Sequence, residues 1–433
     1  MSNSVLIIGA GVEKTEGLNM PLANELIPEL VKFTENQGKQ ISECLRGKLP
    51  NMRFSFRSLI KDGIESILYS DVDGNDKLAK KLKELSINRE TLRIKLLYNI
   101  STKLSNIKRG NYIDEETIEI IRELFTEEEL IDITDNNLLD LKYFTFTDAF
   151  KKMLVRLLEE SIGLKTKSND SNDEMLYNLL INEFLDFEKL LVDTFIGFYT
   201  KKKSDIKKYI YISWILWSYL SWKELTIDIN INEIPFYSKI PKKWNVITFN
   251  YTSFLKKCHE NSIYFHGSCD EYIRLDNRNT LPIEQSQFKD IDDILDFLEQ
   301  NINFDFEKEI YFIPSIIPPL KLKPVISTQF LDKWYKGKTI INKSDRIIIV
   351  GYSFSSADEH INDILRENKN KQVIIVNPSF KRIIPSIENI YRVNEYNFTE
   401  FNLSGKRALK ADNIIIIDAY ANEIYLSELE LIG

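Results

Sequence analysis

Six short runs of Val and Ile dominate the second half of the chain: Val246–Phe249, Ile263–Phe265, Ile310–Ile313, Ile347–Val350, Val373–Val376 and Ile414–Ile417. Each is close to continuous in apolar residues instead of alternating, which predicts strands buried on both faces. The segments between them have the length of helices or crossovers, so the pattern implies an α/β fold with a mostly parallel, Rossmann-like sheet. A seventh run, Val5–Ile8, stands alone near the N-terminus and stops at Gly9-Ala10-Gly11, as a parallel strand does when it opens a nucleotide-binding unit.

Residues 22–240 read differently. ELIPELVKFTENQ, KLAKKLKEL, EETIEIIRELF, AFKKMLVRLLEE and LYNLLINEFLDFEKLLVDTFIGFY carry apolar residues at spacings of three and four, the signature of amphipathic helices. KTKSNDSND, residues 165–173, holds no apolar residue and reads as a solvated loop. If the first strand joins the later ones, residues 1–21 and 241–433 form one sheet domain and residues 22–240 are a large all-helical insertion. The alternative is an independent helical domain tethered to the sheet.

Composition narrows the function. With 433 residues, 43% hydrophobic and 12% aromatic, the chain is long enough for a large core, and 15 glycines and 12 prolines argue against long flexible linkers. A net charge of −8 opposes a nucleic-acid surface covering the molecule, since phosphate binding draws on clustered Lys and Arg, and no direct nucleic-acid partner is expected. YIYISWILWSYLSW, residues 209–222, is interrupted by serines and shorter than the roughly 20 residues of a bilayer span, so it predicts a buried helix or an oligomer contact rather than a membrane segment. The start, MSNSVLIIGAG, has no basic region ahead of its apolar run and is not expected to be a signal peptide. Three cysteines, Cys44, Cys258 and Cys269, without a CxxC pair, exclude a disulfide framework and a four-cysteine zinc site. A cytoplasmic protein needing no metal is the expectation.

The polar residues that end the apolar runs carry the chemistry. Asn250 follows one run, ahead of a short helix that Thr252 or Ser253 would cap, and His266 follows the next. In open α/β sheets ligands bind beyond the carboxyl ends of the strands, so both side chains are placed for that crevice. Gly351-Tyr352-Ser353 ends a further run, where Ser353, Ser355 or Ser356 serves either a ribose or phosphate or a helix cap, and Asn377 closes the run after that. Gly9-Ala10-Gly11 lacks the third glycine of the dinucleotide fingerprint, with Lys14 in its place, and is open to two readings, a phosphate turn or a plain structural turn. His259 and His360 sit in polar helical contexts without such a signal.

The series GAG with Gly17 and Pro21, FNYT, YFHGS, IIPP and VGYSFSSAD resembles the motifs of the sirtuin-like NAD-hydrolysing proteins of bacterial antiviral defence, over residues 5–21 and about 244–380. The resemblance implies that Asn250 and His266 are catalytic, that Gly9, Ala10, Gly11, Gly351, Ser353 and Asn377 bind NAD, and that NAD is the substrate. It also implies a HerA-type ATPase or an Argonaute protein as companion; a homo-oligomer is expected separately, because an unrestrained NAD hydrolase would poison its own host and the cluster Trp214, Trp217 and Trp222 offers a contact. Leu22-Ala23-Asn24 stands where deacylating sirtuins carry an acidic-aromatic-arginine turn, and their zinc-binding cysteines are missing, so NAD cleavage is expected ahead of protein deacylation. A non-catalytic sensor of NAD or ADP-ribose is the other reading. The residue types suit the cleavage: nicotinamide leaves as a neutral pyridine and needs no general acid, unlike a glycoside with its paired carboxylates. An amide that holds ribose or water, and an imidazole of ordinary pKa near 6.5 that takes a proton, then suffice.

Overall fold

The computed structural model describes residues 3–15, 17–56, 201–227, 234 and 236–429, apart from breaks at 318–327, 356–357, 379 and 395–396, together with single positions between 191 and 200. The chain divides into two compact units, Met1–Arg53 with Phe187–Gly433, and Phe54–Asp186. The first unit holds both sheets and every candidate site residue. The helices expected between residues 77 and 190, the loop 165–173 and half of the IIPP segment lie outside the described residues.

An eight-stranded sheet forms the centre of this unit. Its strands are β1 (Ser4–Ile8), β2 (Asn245–Thr248), β3 (Ser262–Tyr264), β7 (Arg346–Val350), β8 (Gln372–Val376), β9 (Thr399–Leu403), β10 (Lys406–Ala411) and β11 (Ile414–Ile417), and their spatial order is β3-β2-β1-β7-β8-β11-β10-β9. The first six in spatial order are parallel, β1 pairing with β2 on one side and β7 on the other. Except for the half-buried Ile263 of the edge strand β3, their Val and Ile side chains are buried on both faces, which is why the sequence shows runs and not alternation. Counting only those parallel strands, the order is that of a doubly wound nucleotide-binding sheet, and it reverses between β1 and β7. β9 and β10 close the far edge as an antiparallel hairpin through Ser404 and Gly405, both at positive φ.

A second sheet joins β4 (Gly267–Arg274), β5 (Thr280–Pro282) and β6 (Phe312–Ile316) in antiparallel pairs, with β4 in the middle. The run Ile310–Ile313, expected in the parallel sheet, belongs here instead: its strand begins at Phe312 and pairs with β4, which mixes polar and apolar residues and passes through a bulge between Gly267 and Tyr272.

The helices α1 (Leu26–Glu35), α2 (Lys39–Lys48) and α3 (Lys203–Leu225) belong to this same unit, although their sequence lies between 22 and 240. α3 is apolar nearly all round because it is enclosed by α1, α2 and the small sheet. Trp214 donates from Nε1 to the Phe312 carbonyl at 2.8 Å, and Trp217 donates to the Cys269 carbonyl at 2.9 Å. Both indoles are fully buried, so of the two readings of the tryptophan-rich stretch the buried helix is the one found. Among the described residues no helix is long and apolar enough to cross a membrane.

Candidate active site

The reversal point between β1 and β7 is closed by glycine against glycine. Gly9 donates to the Val350 carbonyl and Gly11 to the Gly351 carbonyl, each at 2.9 Å. A Cβ on Gly9 would stand 2.4 Å from the Gly351 oxygen, and one on Gly351, whose φ is +65°, would stand 2.6 Å from the Val12 nitrogen. The turn is therefore glycine for the sake of backbone packing. Val12 and Glu13 also donate inward, to the carbonyls of Gly9 and Ala10. The amides of Gly9, Gly11, Val12 and Glu13 are thus used within the chain, and a phosphate there would meet Ala10, the exposed residue of the turn, instead of a ring of open N–H groups. The turn leads into a three-residue 3-10 segment, Ala10–Val12, and not directly into an α-helix.

Asn250 lies two residues beyond β2, buried to 6% exposure, and its Nδ2 donates to the Gly9 carbonyl and to the Tyr237 hydroxyl, both at 3.3 Å. A carbonyl oxygen only accepts, so the contact with Gly9 settles which end of the amide is nitrogen. The cap expected from Thr252 or Ser253 is absent: the Thr252 hydroxyl donates to Glu13 Oε1 at 2.5 Å, and the Ser253 hydroxyl and amide both go to Glu224. Glu224, at the end of α3, thereby takes over the N-terminus of the short helix Phe254–Cys258.

His266, between β3 and β4, is 3% exposed. Phe249 stacks on it with ring centres 5.1 Å apart, and Phe265 and His360 lie at 5.7 and 5.6 Å. Its Nε2 stands 3.4 Å from Asp358 Oδ1, close enough for the carboxylate to attract a charged imidazole but not in hydrogen-bond geometry. His360, set aside in the sequence, packs at 5.3 Å on Phe265 and at 4.9 Å on Trp334, so it belongs to the wall behind His266.

The loop after β7 joins the same region. Tyr352 packs on Phe249 at 4.8 Å, and Asn377 donates from Nδ2 to the Tyr352 carbonyl at 3.0 Å, tying the end of β8 to that loop. Ser353 is exposed and Phe354 holds a positive φ of 54°. Ser355 serves through its carbonyl, which accepts from Asn362 Nδ2, and Ser356 lies outside the described residues. The structure thus brings Gly9, Ala10, Gly11, Asn250, His266, Gly351 and Asn377 to the carboxyl end of one sheet.

The sequence did not reveal Glu13. It is fully enclosed, accepts from Tyr237 at 2.6 Å and from Thr252 at 2.5 Å, and its carboxyl is pushed up to about 7, above all by burial, with the Glu224 charge adding and the three hydrogen-bonding neighbours opposing. Among the described residues no three His, Cys, Asp or Glu side chains come together as a metal-binding group.

No protein-family model matches the chain. No curated protein matches it. Similar solved structures include a Sir2 homolog in complex with NAD, 13% identical over 56% of this chain and 76% of that one, with a TM-score of 0.33. A structure described under the mechanism and regulation of Sir2 enzymes is 17% identical over 50% of this chain and 73% of that one, with a TM-score of 0.31. Sir2 in complex with the inhibitor EX-527, 2'-O-acetyl-ADP-ribose and a deacetylated p53 peptide is 16% identical over 49% and 86%, with a TM-score of 0.29.

Proposed function

We propose that the chain hydrolyses NAD+ to nicotinamide and ADP-ribose. The observation that carries this reading is the position of Asn250 and His266 at the carboxyl ends of adjacent strands, beside the point where the sheet order reverses and where doubly wound sheets take nucleotide ligands. In this reading the bond between the nicotinamide nitrogen and the ribose C1' breaks, the electron pair leaves with neutral nicotinamide, and water adds at C1'. Asn250 presents Oδ1 to the ribose or to that water, because its Nδ2 is already committed to Gly9 and Tyr237. His266 takes the proton that water or a ribose hydroxyl gives up, with Asp358 steadying the resulting imidazolium. The aromatic wall of Phe249, Phe265 and Tyr352 limits water around the reacting centre.

The motif series adds a role: depletion of NAD in antiviral defence, by a self-associating chain that works with a HerA-type ATPase or an Argonaute protein. The test is incubation of the purified chain with NAD+, alone and with each kind of companion, while nicotinamide and ADP-ribose are followed by chromatography. Wild-type protein is expected to release both in equal amounts, and Asn250→Ala and His266→Ala neither. NAD+ or ADP-ribose binding without product under any of these conditions would make the chain a sensor, and turnover only with an acyl-lysine peptide would make it a deacylase.

A further inference from the structure

Asn250 does not stand alone at the end of β2. Its Nδ2 meets the Tyr237 hydroxyl, which donates to Glu13 Oε1, and the same carboxyl oxygen receives the Thr252 hydroxyl from the segment that carries Asn250. Three parts of the chain far apart in sequence, at 13, 237 and 250–252, thus meet in one buried relay. We propose that Glu13 is a positioning residue: by accepting the hydrogen bond of the Tyr237 hydroxyl it leaves the Tyr237 oxygen as an acceptor, which fixes the Asn250 amide with Nδ2 inward and Oδ1 toward the substrate.

The direction of each hydrogen bond follows from the donor inventory. A carboxylate only accepts, so both hydroxyls must donate to it, and the phenol oxygen is left to accept from an N–H. Once Glu13 is protonated it also becomes a donor, and the Tyr237 hydroxyl is no longer forced to point at it. The relay then loses its sense, and the Gly9 carbonyl is the partner of the Asn250 amide whose accepting role does not change. Burial lifts the Glu13 carboxyl to about 7, so this change falls within the physiological range. The titratable groups that face it are Tyr237, Glu224 from the end of α3, Tyr264 from β3 and Cys269 from β4; burial raises all four, and each of the last three also interacts electrostatically with Glu13. Lys257 lies against Glu224 at 3.8 Å and offsets that charge. Burial thus raises both carboxyls of this set, that of Glu13 to about 7.

The relay depends on the proposed NAD+ hydrolysis only for its kinetic consequence, and its primary test is independent of turnover. The side-chain amide resonance of Asn250, assigned by its loss in Asn250→Ala protein selectively labelled at asparagine nitrogen, is followed from pH 5.5 to 8.5. In wild-type protein it should shift with an inflection near 7. Glu13→Gln should remove the inflection and Tyr237→Phe should diminish it, whether or not NAD+ is cleaved. A resonance that does not move in wild-type protein, or moves equally in Glu13→Gln, overturns the relay. The kinetic arm expects kcat to rise with pH through the same inflection at nearly constant KM. Glu13→Ala and Tyr237→Phe should each lower kcat roughly tenfold to a hundredfold, the effect of leaving a buried hydrogen-bonding partner unmatched. Glu13→Gln, which keeps an acceptor oxygen, should recover most of the Glu13→Ala loss and lack the pH step. Equal damage from Gln and Ala would mean that Glu13 matters for its charge and not for orientation. A moving resonance with no NAD+ turnover leaves the relay standing and removes the proposed reaction instead.

Discussion

Asn250 donates from Nδ2 to the carbonyl oxygen of Gly9 at 3.3 Å, fastening the polar residue beyond β2 to the glycine turn beyond β1. The side chain is held from behind, through its nitrogen. This decides how two substitutions should behave. Asn250→Ala removes the group and should abolish NAD+ cleavage. Asn250→Asp keeps the shape but sets a carboxylate oxygen against a carbonyl oxygen that cannot donate, so it should be at least as damaging to activity and also lower the melting temperature, by roughly 1–3 kcal/mol of stability. Circular dichroism melts of the two variants check the second half: an Asp variant as stable as wild type would show that the amide is not held this way.

The Asp358 contact with His266 carries the second prediction. Asp358→Asn preserves volume but takes away the charge that steadies the imidazolium, so kcat should drop about tenfold or more with the fold intact, while His266→Ala should leave no measurable turnover. Steady-state kinetics at pH 7.5 measure both. Undiminished activity in Asp358→Asn would remove Asp358 from the mechanism.

Parallel strands buried on both faces lose the alternation that marks a half-exposed strand, which is why Val5–Ile8, Val373–Val376 and Ile414–Ile417 could be recognised as strands from their side chains alone, while the pairing of the first with β2 and β7 is a tertiary fact. The small antiparallel sheet escaped because β4 mixes Asp, Glu and Tyr with apolar residues, and its pairing with β6 is set by a bulge and by the cover of α3, both tertiary facts. In the site, Asn250 and His266 were legible because strand ends are local features. Glu13 and Tyr237 were not, since nothing in either neighbourhood announces a partner 224 residues away. His360 does lie on a helix, as its sequence context implied, and its packing on Phe265 and Trp334 is a tertiary fact that its polar neighbours do not announce.

Glycine at the turn is the subject of the third prediction, and a second glycine supplies its control. Gly9 has φ −102° and ψ 177°, which any residue adopts, so an alanine there meets no backbone strain and only the clash with the Gly351 oxygen at 2.4 Å and the Tyr352 Cα at 2.6 Å. Both are backbone atoms and neither yields easily. Gly9→Ala should therefore cost about 1–3 kcal/mol or more and disturb the loop after β7. Gly47, in α2, has nothing within 4 Å of an added Cβ, and Gly47→Ala should stabilise by about 0.5–1 kcal/mol through helix propensity. Denaturant titration of the pair, referred to wild type, should give opposite signs; a neutral Gly9→Ala would mean that the two turns are not packed as described.

Glu13 should also be visible in the pH dependence of stability. Its carboxyl is raised from an ordinary value of 4.5 to about 7 in the folded protein, chiefly by burial. Between those two values the folded state holds a proton that the unfolded chain has released, so unfolding releases a proton and stability falls as pH rises. Below 4.5 both states are protonated and above 7 both are ionised, so the stability is fully present at the lower end, is lost across that window and does not change further above it. A raised pKa of this size corresponds to about 3 kcal/mol. Glu13→Gln cannot titrate, so its stability should decline less than that of wild type between pH 5 and pH 7.5, and it should be the more stable of the two at the upper end. Guanidinium titrations across the range, in buffers of constant ionic strength, measure the difference. Parallel stability curves for the two proteins would show that Glu13 does not take up its proton on folding, and with it would go the account of a carboxylate held against its preference for the sake of the Asn250 amide.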